Sequence, residues 1–414
     1  MKRVVASVLS LPLSLGSTRA TTIDVPGDYA LIQDAIIATS DGDTVLVAPG
    51  TYFESEISLL GRGIVMMGTD PDDQAVVQST VIDAQTMGIV LRADQGEGAA
   101  TRIEGLTLTR GRGTGGGVYC EGTSPTIDRC LILRNSSTGQ TWNYCGGIYC
   151  VGGAPSVLRS YLVENSADWG GAIRISDGST AKVSDCAFIG NSVRFDGAGI
   201  DVFEAEPSIE GCVFLDNSSG YGGAIYWAKS PNGTIRNSVF AGNSANWGGA
   251  IYISVSNPTI QNCLFRGNNA NWGGAVHVFS GSPEINYCTM NENSARDAGG
   301  AIYAWGTGSN VAVTGSILWN DTPREIRVRL GNHVSCTYSD IQRGRSGEGN
   351  IDADPLFTEY LEWTQVLAPG SPCIDAGPLG EQDGIPWPGY YPNGPAADMG
   401  AYGGEGAAAW LLAR

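Results

Sequence analysis

The chain has 414 residues, among them 59 glycines, and only 16% of its residues are charged. Its 24 basic and 42 acidic side chains give a formal net charge of −18 at pH 7. Because such a surface repels nucleic acid and anionic membranes, and the sequence carries no basic tract for either, we expect no nucleic-acid partner. The longer uncharged stretches after the N-terminus are broken by Gly, Ser and Asn, so we expect no membrane span.

The N-terminus has the pattern of an export signal. A basic start at Lys2 and Arg3 precedes a mostly apolar run over residues 4–15 and a small-x-small cleavage site at residues 18–20. The apolar run is too short to cross a bilayer. We expect residues 1–20 to be a signal peptide and the mature protein to be secreted or held at the cell surface. The alternative is an ordinary buried N-terminal segment.

Four short apolar segments follow, which we interpret as strands of the first, less regular coils: residues 44–47, 63–68, 80–83 and 101–109. A fixed period then dominates the chain. Seven asparagines recur at gaps of 30, 26, 26, 26, 25 and 25 residues: Asn135, Asn165, Asn191, Asn217, Asn243, Asn268 and Asn293. Periods of this size are typical of stacked-repeat architectures.

A single repeat shows why the coils must stack. In the repeat that starts at Pro258, three short strands and three corners fill about 25 residues, which leaves no room for a helix. Asn268 suits a left-handed corner, and its amide can bond the amides above and below in register. Gly273 and Gly274 form the next corner. We predict an all-β, three-sided parallel solenoid of about eleven coils, roughly 50 Å long at ~4.8 Å per coil.

Cysteines occupy a small-side-chain slot rather than a disulfide framework. The slot lies five residues before the asparagine and is shared with serine: Cys130, Ser160, Cys186, Cys212, Ser238, Cys263 and Cys288. Adjacent coils are wider apart than the Cβ separation a disulfide prefers. We therefore expect mostly free thiols, with Cys145, in the one long repeat, as the strongest candidate for an exception.

The regular repeat ends near residue 343. Asn320 and Ile341 extend the coils to that point, so the solenoid is assigned to residues 21–343. A glycine-rich break at residues 344–349 follows, and residues 344–414 are interpreted as an irregular segment that caps the exposed end.

Three groups of residues resemble known proteins. Residues 23–54, IDVPGDYALIQDAIIATSDGDTVLVAPGTYFE, resemble the first coils of pectin-lyase-like right-handed β-helix proteins, where an IQ-x-AI segment forms an N-terminal cap helix. The repeats FIGN, FAGN and FRGN with GGAI or GGAV are similar to those of polymorphic outer-membrane proteins. The tail motifs DADPLF, SPCIDAG and ADMGAYG look like those of secreted bacterial β-helix proteins. The resemblance implies a right-handed parallel β-helix with a cap helix whose apolar face carries Tyr29, Ile32, Ile36 and Ile37.

Two columns of side chains are candidates for ligand binding. The outer column follows each buried Ile or Val and points outward by strand alternation: Tyr119, Tyr149, Arg174, Asp201, Tyr226, Tyr252, His277 and Tyr303. The corner column lies just before the glycine corners: Tyr144, Trp169, Phe195, Tyr221, Trp247 and Trp272. Stacked aromatic residues suit a sugar-binding surface, and we select Tyr226, Tyr252, His277, Tyr303, Trp247 and Trp272. The alternative is that these rings stack only to stabilise the sheets.

Charged residues interrupt the columns in one irregular coil. The acidic group comprises Asp196, Asp201, Glu204 and Glu206, near Arg174 and Arg194. A lyase needs a cation to neutralise a uronate and a base to remove a proton, and a glycosidase needs two carboxyls. The candidate catalytic residues are Arg174, Asp201 and Glu204, against the alternative of solvated surface charges.

Aspartates of the C-terminal segment are candidates for calcium, although turn-making and capping are their alternative roles: Asp352, Asp354, Asp375, Asp383 and Asp398. We expect no other cofactor.

The short, regular coils favour a protein that binds polysaccharide or cell-surface glycan, or builds an extracellular layer, without catalysis. The alternative is a polysaccharide lyase or glycoside hydrolase, for which the one candidate insert is residues 136–145. The catalytic sets of the enzymatic relatives are not matched, and the chain has only two histidines.

Overall fold

A computed structural model describes residues 20–137, 144–361, 363–386, 390 and 392–411. The signal peptide predicted over residues 1–20 therefore lies almost wholly outside the described residues, and so does most of the insert at 136–145. Among the described residues, no helix combines the length and the apolar character needed to cross a bilayer.

Three long parallel sheets form the sides of a solenoid of about twelve turns, one more than predicted. Sheet A has 13 strands: Thr22–Val25, Thr44–Val47, Val65–Gly68, Arg102–Glu104, Thr126–Asp128, Ser156–Leu158, Lys182–Ser184, Ser208–Glu210, Thr234–Arg236, Thr259–Gln261, Glu284–Asn286, Asn310–Thr314 and His333–Thr337. Sheet B has 12: Gly50–Tyr52, Thr80–Asp83, Thr107–Thr109, Leu131–Leu133, Tyr161–Val163, Ala187–Ile189, Val213–Leu215, Val239–Ala241, Leu264–Arg266, Thr289–Asn291, Ile317–Trp319 and Asp340–Ile341. Sheet C has 11: Ile57–Ser58, Leu91–Ala93, Val118–Glu121, Ile148–Val151, Ile173–Ser176, Ile200–Phe203, Ile225–Ala228, Ile251–Ser254, Val276–Phe279, Ile302–Trp305 and Ile326–Val328.

A fourth, shorter sheet was not predicted. Sheet D has six strands that precede the glycine corners: Ser166–Ala167, Ser192–Val193, Ser218–Tyr221, Ser244–Trp247, Asn269–Trp272 and Ser294–Ala295. The residues between the asparagine corner and the glycine corner are extended and pair from coil to coil, whereas the prediction allowed only three strands per coil. Each central coil therefore has four sides, and the angle between sheets D and C becomes important below.

The cap helix is present, but it is shorter than the apolar pattern indicated and it buries a different face. It spans Ile32–Ala38 and buries Ile32, Ala35 and Ile36 over the first coil. Tyr29 precedes the helix and Ile37 is 56% exposed, so the predicted face was wrong for these two residues. A second helix, Gln74–Ser79, lies outside sheet B, and a 3-10 helix spans Glu405–Leu411.

The asparagines form the predicted ladder. All seven are fully buried, and the side-chain amides of the first six each donate to the carboxamide oxygen of the next asparagine at 2.9–3.2 Å. The same nitrogen also donates to a carbonyl of the preceding coil, as Asn217 does to Phe188 at 2.9 Å. The prediction that the asparagine itself is left-handed was wrong. The left-handed residue of the corner is the one before it, for example Asp216 or Gly242. The asparagine thus closes the corner through its side chain.

The ladder ends on a pair of buried acids. Asn293 donates to Asp321 at 2.8 Å, and the backbone N–H of Asp321 donates to Glu325 at 3.2 Å. One carboxyl oxygen of each acid is buried without a partner. Burial raises the pKa of both groups, and the nearby Asp321 raises that of Glu325 further. We infer that the two carboxyls share a proton at neutral pH.

This pair should make stability fall as pH rises. Because both folded-state pKa values lie above their unfolded values, the native protein binds more protons, and its advantage is lost as pH rises through neutrality. We expect the free energy of unfolding to fall by roughly 1 kcal/mol or more from pH 6 to pH 9, and Glu325→Gln, whose amide mimics the shared proton, to flatten that slope. Urea titrations of the wild type and the variant at both pH values would measure the change in the free energy of unfolding. An unchanged slope, or the same flattening by the exposed Glu284→Gln, would refute the shared proton.

The interior is packed by stacked side chains. Phe188, Phe214, Phe240 and Phe265 stack with centroids 4.6–4.8 Å apart and planes within 8° of each other. All ten cysteines are buried free thiols, as expected for the shared Cys/Ser slot. Cys145, the predicted exception, is also free, and its Sγ donates to the Ile148 carbonyl.

The C-terminal segment continues from the last coil and then folds back along the rod. Ile351 pairs with Asp340, and strands Phe357–Tyr360 and Trp363–Leu367 form an antiparallel hairpin. Farther on, the Asn262 side chain donates to the carbonyls of Ala401 and Gly403. The segment therefore covers the flank of the coils around Asn262 as well as their end.

Candidate functional site

The outer faces of sheets C and D meet in a concave corner, which we call the aromatic groove. Tyr221 ends a sheet D strand, and its ring contacts Tyr226 and Tyr252 of sheet C with centroids 6.5 and 5.2 Å away. One coil further on, Trp247 contacts His277 at 5.3 Å. Since outward side chains of adjacent sheets touch, the angle between the sheets is concave.

Glycine makes this angle possible. Gly222 and Gly248 have φ values of 64° and 66°, and a Cβ at either would lie 2.0–2.2 Å from a backbone carbonyl oxygen. No other residue fits without moving the strand. The Gly-Gly repeats of the sequence therefore mark the inner edge of the groove.

The corner column lines the open side of the groove, with one change from the prediction. Backbone pairing places Asp196, not Phe195, in line with Trp169 and Tyr221, because Gly170 donates to the Asp196 carbonyl and Asp196 bridges to Tyr221. Phe195 lies one residue earlier and stacks on Trp169 at 5.0 Å. The column is Tyr144, Trp169, Asp196, Tyr221, Trp247 and Trp272, all half-buried.

The rings of this column stack along the rod. Trp247 and Trp272 lie 4.1 Å apart at 24°, and Tyr221 lies 6.3 Å from Trp247 at 12°. Because each ring covers part of its neighbour, the column offers ring edges, indole N–H groups and phenol hydroxyls to the groove. The strip is thus apolar with polar tips.

The outer column forms the floor of the groove and is more buried than expected. It stacks in register as predicted. Tyr252, His277 and Tyr303 are only 8%, 0% and 4% exposed. The sheet D rings of Tyr221 and Trp247 contact Tyr252 and His277. The carbohydrate-binding roles of these three residues stay predictions, and their burial places them beneath the surface of the groove. Tyr226 remains half-buried.

His277 is enclosed by aromatic rings. Tyr252 and Tyr303 lie 5.0 Å from it, and neither ring nitrogen has a hydrogen-bond partner. Burial lowers its pKa to about 3, so the imidazole is neutral over the physiological range.

Arg174 and Asp201 form a buried ion pair in the floor. The two side chains are 11% and 0% exposed. The guanidinium also lies 4.7 Å from the Tyr144 ring centroid and 5.7 Å from that of Phe203. Oδ1 of Asp201 and Nε of Arg174 are buried without partners. Burial raises the pKa of Asp201 to about 6 although Arg174 opposes the shift.

Asp196 was noted in the acidic group but not selected as a site residue. Burial, and then the charge of Asp201, raise the pKa of its carboxyl to about 7, against the opposing effect of Arg174. Asp196 is thus a half-buried carboxyl whose pKa is raised toward neutral pH, as is common at functional sites. The sequence signal that could have identified it is the loss of an aromatic residue at the position before the glycine corner.

Glu204 lies apart from the pair. It follows the strand Ile200–Phe203 with φ of 53°, is exposed, and contacts Lys229 at 3.3 Å. It lines a separate concavity of about 230 Å³ together with Glu206 and Pro231. Arg174 and Asp201 are thus brought together, whereas Glu204 faces another surface. The catalytic roles of all three stay predictions.

A larger concavity of about 480 Å³ lies beside the helix Gln74–Ser79. Its arginines are already paired, Arg129 with Asp72 at 2.7 Å and Arg159 with Asp128. It therefore offers less unpaired charge than the groove.

Three of the five aspartates that we proposed as calcium ligands lie close together. Carboxylate oxygens of Asp375, Asp383 and Asp398 lie within 4.8 Å of one another. They also accept backbone N–H groups, as Asp383 does from Asp398 at 2.8 Å. Asp352 and Asp354 accept from backbone N–H groups at 3.0 and 2.9 Å in turns. Calcium binding by the first three stays a prediction.

A family model described as a right-handed β-helix region matches residues 62–240 and 170–318, more than half of the chain. No curated protein matches the sequence.

Three solved structures are distantly similar to this chain. The PL6 family alginate lyase AlyGC is 13% identical with a TM-score of 0.44, over 82% of this chain and 54% of that one. Pectate lyase Pel9A is 11% identical with a TM-score of 0.41, over 94% and 97%. A PL6 alginate lyase in complex with a trisaccharide is 11% identical with a TM-score of 0.40, over 84% and 92%. The chain spans about half the length of AlyGC, and the likeness concerns the fold alone.

Proposed function

Because this chain belongs to the right-handed β-helix family, we propose that it is a secreted or cell-surface protein that binds polysaccharide in the aromatic groove without cleaving it. The glycan chain lies lengthwise, parallel to the rod. The fold itself does not imply this function, since the same scaffold carries several activities.

The observation that carries the proposal is the run of three aromatic residues at one end of the corner column. Tyr221, Trp247 and Trp272 are half-buried on successive coils, so the groove presents one aromatic residue about every 4.8 Å. A glycan chain repeats on a similar scale. Apolar ring edges with N–H and O–H tips match the mixed apolar and hydroxyl surface of sugars.

The positions and contacts of the predicted catalytic residues support a protein that does not cleave its ligand. Arg174 and Asp201 neutralise each other below the surface, and Glu204 faces another concavity. A lyase needs a cation that can reach the uronate, and this guanidinium is engaged.

Two single substitutions test the groove. Trp247→Ala and Trp272→Ala should each weaken binding to the tightest ligand by about fivefold, since removing one ring contact costs about 1 kcal/mol. Affinity electrophoresis against neutral, cationic and uronate polysaccharides would find that ligand, and calorimetry with its oligomer would measure the change.

The control is Tyr161→Ala, which removes a half-exposed ring from the outer face of sheet B. It should leave binding unchanged, and circular dichroism should show all variants folded. If no polysaccharide binds, or if both tryptophan variants bind as the wild type does, the rings serve only to stabilise the sheets.

A second candidate, a polysaccharide lyase or glycoside hydrolase, is favoured by one observation. A carboxyl with a pKa of about 7, such as Asp196, is suited to proton transfer at neutral pH. The protein would be incubated with a polysaccharide that it binds. New reducing ends, or absorbance from an unsaturated product, would show that it is an enzyme and not only a binding protein.

A further inference from the structure

The aromatic groove is interrupted by a carboxyl in its middle. Asp196 occupies the place that Trp169 and Tyr221 hold on the neighbouring coils. It is half-buried, so a bound glycan can reach it. An aromatic residue at this place would continue the apolar strip, whereas a carboxyl introduces a charge into it.

The arginine whose charge acts on this carboxyl is already engaged. Arg174 is paired with Asp201 and lies over Tyr144 and Phe203. Arg194 is exposed, and its guanidinium lies 4.9 Å from the Phe195 ring centroid. When Asp196 is ionised, the group of Asp196, Asp201 and Arg174 carries one net negative charge.

A second, independent feature points toward a ligand. Oδ1 of Asp201 is fully buried and has no hydrogen-bond partner. Arg174 binds only the other oxygen of this carboxylate, and a buried carboxylate oxygen without a donor is costly. Asp196 and Asp201 affect each other's charge state, so both belong to one electrostatic site.

Aromatic rings surround the same site. Tyr226 and Tyr252 stack at 5.5 Å with planes 2° apart, and the edge of Tyr221 meets Tyr252 at 5.2 Å. Burial of the hydroxyls, and to a smaller extent the charge of Asp196, raise the pKa of both Tyr226 and Tyr252, so these phenols stay neutral. Neutral rings beside a carboxylate are the surroundings in which ammonium groups bind, through cation–π attraction and a charge-assisted hydrogen bond.

We propose that the groove selects glycans that carry a free amine, with the Asp196 carboxylate binding the ammonium group of an amino sugar and repelling uronates. This inference rests on the proposed function and names its ligand class. The alginate and pectate of the distant structures are polyuronates, so the proposed selectivity is opposite in charge to theirs.

Three hexasaccharides with different charge test the selectivity. Calorimetry at fixed pH and ionic strength would compare a glucosamine hexamer, its N-acetylated counterpart and a galacturonate hexamer. The wild type should bind the glucosamine hexamer about tenfold or more tightly than the N-acetylated one and should not bind the galacturonate. Asp196→Asn should remove the preference while keeping the N-acetylated hexamer bound, because the amide retains the size of the side chain.

Overall negative charge alone also attracts a cationic glycan, so a matched control is needed. Asp185→Asn removes the same charge from an exposed site outside the groove and should leave the preference intact. Equal losses from both variants, or binding of the galacturonate as tight as that of the glucosamine hexamer, would overturn the inference. If a neutral hexamer binds without any preference for the amine, the inference fails and the proposed function stands. If no hexamer binds, both fail.

Discussion

Replacing Asn217 with alanine is expected to lower the free energy of unfolding by on the order of 4 kcal/mol. The Asn217 side chain donates to the Phe188 carbonyl and to Asn243, and it accepts from the backbone and side-chain nitrogens of Asn191. Alanine leaves several of these buried groups without a partner, and each costs ~1–3 kcal/mol. Urea denaturation would measure the loss, and hydrogen exchange would show whether the neighbouring coils open first.

The matched control is Asn232→Ala. The Asn232 side chain is exposed and donates to Glu206 at 3.0 Å, so its loss should change stability by no more than about 0.5 kcal/mol. Equal effects of the two substitutions would mean that the ladder does not hold the coils in register.

Replacing Arg174 with methionine is expected to cost about 3–5 kcal/mol at pH 8, because Asp201 is left buried with an uncompensated charge. At pH 5 the loss should be smaller. The pKa of Asp201 is already raised by burial, and without the guanidinium it rises further. The variant's native state therefore binds a proton that the unfolded state does not, so its stability falls as pH rises.

A second-site change separates charge from packing. Adding Asp201→Leu to Arg174→Met should recover most of the loss, since an apolar pair can replace a buried ion pair. Arg266→Met, in the exposed pair with Glu292, should cost less than about 1 kcal/mol. A loss independent of pH, or no recovery in the double variant, would show that Arg174 acts through packing alone.

The parts of the fold that depend on the period were predictable from the sequence. A side chain that recurs once per coil must stack on its own copies, so the asparagine ladder and the Cys/Ser slot followed from spacing alone. The handedness and the cap helix came from the resemblance of residues 23–54. The pattern failed where one residue decides the backbone, as at the corner, where Asp216 rather than Asn217 is left-handed.

The candidate site was predictable in composition but not in exposure. Strand alternation placed Tyr252 and His277 outside the coil correctly, yet alternation cannot reveal that a neighbouring sheet folds over them. The extra sheet depends on short segments such as Ser244–Trp247, whose pairing is set by their copies on adjacent coils. A shift of one residue likewise exchanged Phe195 for Asp196, because a period of 25 or 26 residues does not by itself define register at a corner.

The charged residues show a further limit. Arg174 and Asp201 occupy the same column on adjacent coils, so their contact was foreseeable from the repeat. Their burial depends on the rings around them, and the position of Glu204 depends on the corner at the end of its strand. Sequence proximity grouped residues that the coil geometry separates.

A crystal structure of the protein with a bound glucosamine hexamer tests the aromatic groove most directly. We expect the sugar chain to run parallel to the rod, in contact with Trp247 and Trp272, with one amine within hydrogen-bond distance of the Asp196 carboxylate. A hexamer bound at another surface, such as the concavity beside the helix Gln74–Ser79, while the groove holds none, would contradict the groove as the binding site.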